Sequence, residues 1–279
     1  MEIKGWKYYN HAAIPTSAPH EEVNTEAIES GDIWKLDGGP MLARWTSDFD
    51  CGHETNWWYI IRKAPFDLEG VAAKERKRVR QALKKCYVKQ VDMTEVSAEL
   101  YACYSAAFEH YENADNLKTK EQFEDWCRES AAKVECWAAY DNETDILIGF
   151  ITACVYDTYV ELQTAKFTPE YFNRQASDAS YYVMLDHYLN SCNKQYVSSG
   201  SRNINHKTNT QEYKIRRFGY EKAYCTLHIE YKPKIKTLIK IIYPFRKILR
   251  WFDKITIVHQ VNSLLVMEEV KRGKKKDID

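Results

Sequence analysis

The sequence predicts an α/β protein, and three observations between residues 145 and 231 predict it. Two runs of strand length and strand composition open this block, at 146–155 and 159–167. A helical pattern follows at 179–190, with Tyr181, Met184, Leu185, Tyr188 and Leu189 on one face. A short strand near 196–200, a helix near 208–217 and a last strand reaching Ile229 complete the series. Strand, strand, helix, strand, helix, strand is the alternation of an α/β domain.

From the N-terminus, the first 31 residues carry no clear period. Pro15 and Pro19 hold 14–21 in extended or turn backbone. Residues 32–63 read as short strands at 33–36, 41–45 and 57–61, with Asp37-Gly38-Gly39-Pro40 turning between the first two. Cys51 and His53 are metal-ligand types, but no second pair clusters with them, so no metal site is expected. Pro65-Phe66-Asp67 starts a helix with Asp67 as its N-cap. Leu68, Val71, Val79, Ala82, Leu83 and Cys86 form its inward stripe, while the other faces carry Lys74, Arg76, Lys77, Arg78, Arg80, Lys84 and Lys85. Such a row is either a solvated helix face or a contact for the phosphates of a cofactor or an RNA.

Residues 88–91 suit a strand, and 97–108 a helix with Leu100, Cys103, Tyr104 and Ala107 at helical spacing. Thr119 followed by Gln122 fits a capping box at the start of the next helix. Residues 134–140 and 146–155 form a hairpin across 141–145. After Tyr231 the pattern changes. Ile235, Leu238, Ile239, Ile242, Phe245, Leu249, Trp251 and Phe252 interleave with lysines and arginines, and Pro244 breaks the stretch into two helical pieces or kinks it. This tail either lies on an anionic membrane surface through 232–254 or packs on the body with its lysines reaching solvent. From Lys232 onward 13 Lys and Arg face 5 Asp and Glu, a surplus of 8 that the rest of the chain balances. The last residues, 273–279, read as a disordered tail.

The element order, with Phe218-Gly219-Tyr220 closing the last helix, resembles the second half of the GNAT superfamily of N-acyltransferases, and its Fem-like branch in particular. Gly219 stands where those proteins end the last core helix with a glycine, a residue that takes the left-handed conformation and lets the next aromatic re-enter the core. The resemblance spans residues 88–231 and implies a GNAT (acyl-CoA N-acyltransferase) fold: a mixed central sheet flanked by helices. A β-rich N-terminal partial lobe at 1–64 and a basic amphipathic tail at 232–279 would flank the 65–231 domain, which includes the basic helix.

In that family the donor's pyrophosphate lies on the helix after the fourth strand, under a loop of type Arg/Gln-x-x-Gly-x-Gly/Ala. The corresponding segment is Arg174-Gln175-Ala176-Ser177-Asp178-Ala179, in which Arg174 and Ala179 match and Ser177 replaces the first glycine. Phe167, Arg174, Ser177, Ala179 and Asn209 are therefore the expected donor-binding residues, with acyl-CoA (acetyl-CoA) as donor substrate. Asp178 adds a negative charge where phosphate approaches, and Ser177 alternatively only caps the helix. The usual family position of a tyrosine acid holds Ile215, with Tyr213 two residues earlier. His206 and Glu161 are the catalytic candidates: a histidine of ordinary pKa can take a proton from an acceptor amine, and a strand carboxylate can hold its ammonium form. Asn203, Asn205, His206 and Asn209 also suit a plain turn. The polar loop 110–118 is the expected wall of the acceptor cleft.

At 279 residues with 44% hydrophobic content, the chain can bury a sizeable core, and its zero net charge excludes a global field toward nucleic acid. Eight scattered cysteines without a CxxC pair indicate free thiols in a reducing compartment, and no signal-peptide pattern opens the chain. The expected location is cytoplasmic, peripheral to the inner membrane face. Three functions follow from the resemblance: acyl transfer from acyl-CoA to an amine, an amino sugar of surface polysaccharide among the candidates; Fem-like aminoacyl transfer from tRNA; or a non-catalytic scaffold at the membrane.

Overall fold

The computed structural model describes residues 1–109, 117–202, 209–253 and 255–273. Its first half runs β1 (Trp6–Tyr9), β2 (Ala12–Pro15), α1 (Glu26–Glu29), β3 (Leu42–Ser47), β4 (Trp57–Lys63), α2 (Ala73–Lys85), β5 (Cys86–Val91), α3 (Ser97–Phe108) and α4 (Lys120–Ser130). Then come β6 (Glu135–Asp141), β7 (Leu147–Val155), β8 (Tyr159–Phe167), α5 (Ala176–Leu185), β9 (Tyr196–Ser201), α6 (Thr210–Phe218) and β10 (Glu221–Tyr231). The tail holds α7 (Pro233–Ile242), α8 (Arg246–Leu249) and α9 (Thr256–Lys271).

The chain divides into two units, one of residues 1–59, 201–207 and 222–279, the other of 60–200 and 208–221. This differs from the division at 64 and 231 read from the sequence, because strands β3 and β10 pair antiparallel from Leu42/Tyr231 to Ser47/Thr226. That ladder joins the N-terminal strands to the chain's end.

In the second unit β9, β8, β7, β6 and β5 lie side by side in that order. The β5–β6, β6–β7 and β7–β8 pairs are antiparallel and β8–β9 is parallel, so the sheet is mixed. Alternation along β6 sends Cys136, Ala138 and Tyr140 into a core with Leu100, Tyr104 and Phe123 of α3 and α4. Ala139 points the other way, into a core with Ala82 of α2, Cys86 at the start of β5, and Ala176 and Ala179 of α5. Helices thus cover both faces. The Thr119–Gln122 capping box forms as expected, each side chain bonding the other's backbone N–H. Gly219 takes the left-handed conformation (φ 66°) at the end of α6.

Two local expectations fail. Residues 32–35 form a 3-10 turn rather than a strand, entered through left-handed Gly31 and packing Ile33 against Trp6 and Ala43. The basic helix begins at Ala73 and not at Asp67, because Asp67 accepts the Glu69 N–H in a local turn that competes with helix. In the first unit β1, β2, β3 and β10 lie side by side in that order, with β2–β3 parallel and the β1–β2 and β3–β10 pairs antiparallel. Its core is built from Leu42, Trp57, Ile229, Tyr231, Met267 and Val270.

Candidate functional site

Strands β8 and β9 pair only from Tyr159/Tyr196 to Glu161/Ser198, although β8 runs on to Phe167 and β9 to Ser201. Beside the far end of β8 the chain makes a 3-10 turn (Pro169–Arg174), passes left-handed Gln175 (φ 63°, ψ 36°) and enters α5. A cleft of about 250 Å³ opens at this junction. It is bounded by Phe167 and Thr168 of the strand end, Ser177 and Asp178 of the first turn of α5, Tyr213 of α6 and Arg78 of α2. Drug-sized ligands fill roughly 300–1,000 Å³, so the cleft suits one group of a large donor rather than the whole of it.

The N–H groups of Asp178 and Ala179 both return to the Gln175 carbonyl, at 2.9 and 3.3 Å. Those of Ala176 and Ser177, one residue nearer the helix start, have no preceding helical carbonyl to reach and face the N-terminal end, where the helix dipole favours an anion. The Asp178 carboxylate does not cancel that field. It is 2% exposed and lies 3.3 Å from Arg217 Nε, while Tyr213 donates its hydroxyl to the same oxygen at 2.6 Å. Arg217, itself 1% exposed, reaches on to Glu75 of α2 at 2.6 Å. One buried guanidinium therefore ties α2, α5 and α6 together behind the cleft. Burial, followed by the Asp178 charge, holds the Tyr213 phenol well above its ordinary pKa, which makes it a poor proton donor.

The expected donor residues separate. Phe167 and Ser177 line the cleft, and Ser177 Oγ lies 3.3 Å from the Tyr213 hydroxyl. Arg174 does not line it; its guanidinium meets Asp141 at 2.8 Å and Glu143 at 2.9 and 2.5 Å. Ala179 is fully buried against the sheet, and Asn209 is exposed at the start of α6. Glu161 sits half-buried on β8 opposite Cys154 and Ser198. His206, Asn203, Asn205, residues 110–116 and the 274–279 tail lie outside the described residues.

Lys214 was not among the sequence candidates. It is 5% exposed, donates Nζ–H to Ser199 on β9 just past the last β8 pairing, and stands 4.9 Å from the Tyr181 ring centroid. Burial lowers its pKa to about 8. One signal was present: Lys214 precedes Phe218 by four residues, so it shares the face that Phe218 buries.

Gly149 shapes the rim. A Cβ there would lie 2.2 Å from Phe167 Cδ1 and 3.3 Å from the Lys166 carbonyl. Gly149→Ala is expected to displace Phe167 from the cleft wall and to destabilise by about 1–3 kcal/mol, read as a lowered urea midpoint at unchanged slope.

No protein-family model matches the chain, and no curated protein matches it in sequence. Solved structures do resemble it. FemX superposes with a TM-score of 0.56 at 8% identity, over 85% of each chain. L-PGS from Bacillus licheniformis gives 0.50 at 11% identity, over 85% of this chain and 84% of that one. The C-terminal domain of a provisionally assigned lysylphosphatidylglycerol synthetase from Agrobacterium fabrum gives 0.50 at 10%, over 84% and 82%. At such identities these likenesses show the fold alone: an α/β fold with a mixed sheet flanked by helices.

Proposed function

We propose that the protein is an acyltransferase that carries an acyl group from a phosphate-bearing donor to an amine, with aminoacyl-tRNA as the donor its surface suits best. The observation that carries this reading is the cationic row of α2. Lys74, Lys77, Arg78, Arg80 and Lys84 are exposed, and the row runs into the cleft through Arg78. At 1.5 Å per residue the row is about 15 Å long, a span that suits a chain of phosphates better than a single pyrophosphate. The likeness to the C-terminal domain of a lysylphosphatidylglycerol synthetase, a name that denotes the joining of a lysyl group to a lipid, is in keeping with transfer of an aminoacyl group.

In this reaction the acceptor's free amine attacks the ester carbonyl carbon. A C–N bond forms, the carbonyl oxygen becomes an oxyanion, and the bond to the ribose oxygen breaks. The amine loses one proton and the ribose oxygen gains one. A cation held out of water stabilises such an oxyanion strongly. Lys214, at the parting of β8 and β9, is the residue we assign to that role: below pH 8 it carries its proton. The acceptor is an amine, with amino sugars of surface polysaccharides the class the resemblance suggests.

Acyl-CoA is the second reading, favoured by the anion-binding start of α5. Lys74→Glu, Lys77→Glu and Arg78→Glu together should weaken aminoacyl-tRNA binding by roughly 100-fold and lower its salt dependence by roughly two to three counterions. Acetyl-CoA should leave the melting temperature unchanged at about 100 times a micromolar Kd, where a bound donor would add about 2.7 kcal/mol. A clear shift with acetyl-CoA, alongside unchanged tRNA binding in the triple variant, would hand the site to the second reading.

A further inference from the structure

The sequence left the tail with two readings, a membrane face or a helix packed on the body, and the structure realises the packing on only one side. Ile239 and Tyr243 are buried, and Ile235 packs on the core of the first unit. Arg246 and Arg250 both reach Glu269 of α9, at 2.8 and 2.5 Å. The other side is bare. Leu238 and Ile241 of α7 are exposed at i, i+3, and Phe245, Ile248 and Phe252 continue at i, i+3, i+7 through the break at Pro244. Ile241 is 62% exposed and Trp251 is 84% exposed. Lys234, Lys240 and Lys247 are exposed among these side chains and form no ion pair among the described residues.

We infer that this face, α7 through Phe252, docks the protein on an anionic lipid bilayer. Charge and shape favour that occupant over others. From Lys232 to Phe252 there is no Asp or Glu. Lys236, Arg246 and Arg250 are paired with carboxylates from outside this stretch, which leaves Lys234, Lys240 and Lys247, unpaired among the described residues, on this face. It therefore repels itself and does not suit the same face of a second copy. Nucleic acid would engage the cations but gives no purpose to six aliphatic and aromatic side chains turned to solvent. An interfacial segment uses both, sinking apolar side chains to the acyl boundary while lysines meet phosphate headgroups. No helix among the described residues is long and apolar enough to cross a membrane, so the contact lies in the interface plane. The inference does not rest on the acyl-transfer reading, since it concerns binding alone.

The test is flotation of the full chain with vesicles of phosphatidylcholine, with and without phosphatidylglycerol. Binding is expected only with phosphatidylglycerol present, and it should weaken as salt rises from about 0.1 M, where the Debye length is about 10 Å. Lys234→Gln, Lys240→Gln and Lys247→Gln together should weaken it roughly 100-fold. Ile241→Ser, Ile248→Ser and Trp251→Ser together should abolish it while leaving the melting temperature and tRNA binding unchanged, because all three side chains are exposed. Absence of wild-type binding, equal binding to neutral vesicles, or wild-type binding by the serine variant would each overturn the inference. Salt-sensitive binding of RNA that the glutamine variant loses and the serine variant keeps, with no vesicle binding, would assign the face to nucleic acid instead.

Discussion

Arg217→Met is expected to destabilise the protein by about 3–5 kcal/mol, the cost of leaving buried charges without their partner. The side chain is 1% exposed and meets Asp178 and Glu75, themselves 2% and 8% exposed, on two different helices. Among the described residues, removing the guanidinium leaves Asp178 with only the hydrogen bond from Tyr213 at 2.6 Å, and Glu75 with only the exposed Arg216 at 3.7 Å, in a place with little water. The loss should appear as a lowered urea midpoint. Replacing the whole network, with Glu75→Gln and Asp178→Asn added to Arg217→Met, should recover much of that stability, since the buried charges disappear together. The triple variant should nevertheless bind donor poorly, because the network is what holds α2 and its cations against the first turn of α5. A single variant as stable as wild type would show that the three groups do not act as one unit.

Lys214→Met is expected to move stability and activity in opposite directions. An unfolded lysine titrates near 10.4, whereas burial lowers Lys214 to about 8. Below pH 8 both states hold the proton, and the native state bears the full cost of the buried charge, about 3 kcal/mol at 1.36 kcal/mol per pKa unit. As pH rises from 8 to about 10.4 the native state sheds its proton first, the unfolded state binds more protons, and wild-type stability increases. Methionine fills the same space without the charge. The variant should therefore be more stable than wild type at pH 7 by about 1–3 kcal/mol, after loss of the Ser199 hydrogen bond and the Tyr181 contact, and the advantage should vanish above pH 10. Transfer should fall by at least about 100-fold, the usual loss when one oxyanion donor is removed. Full activity in a folded Lys214→Met protein would remove Lys214 from the mechanism. A variant less stable at pH 7 would show that its cation is structural.

The acyl-transfer reading and the membrane face are separable by design. Variants on α2 and at Lys214 lie in the second unit, and those on α7 and α8 lie in the first. Loss of vesicle binding with tRNA binding intact, and the reverse, are both readable outcomes.

Much of the fold was legible because short-range contacts set it. Helix α3 occupies residues 97–108 as its spacing predicts, β8 occupies 159–167, the Thr119–Gln122 box caps α4, and Gly219 ends α6. Each of these depends on residues within one or two turns, or on a period a strand or helix imposes. Two residues named from the sequence, Phe167 and Ser177, line the cleft between a strand end and a helix start. The electrostatic partners were not legible. Arg174 reads as a donor ligand beside Ser177, yet Asp141 and Glu143, more than thirty residues earlier, capture it. Asp178 reads as a charge opposed to phosphate, yet Arg217 on another helix neutralises it. By itself the sequence determined the periodic elements and where a strand end meets a helix start, because those follow from local backbone geometry. Only the tertiary structure decided which charge meets which, because a buried charge takes the counter-charge that packing brings within a few ångströms, and no local pattern records that choice.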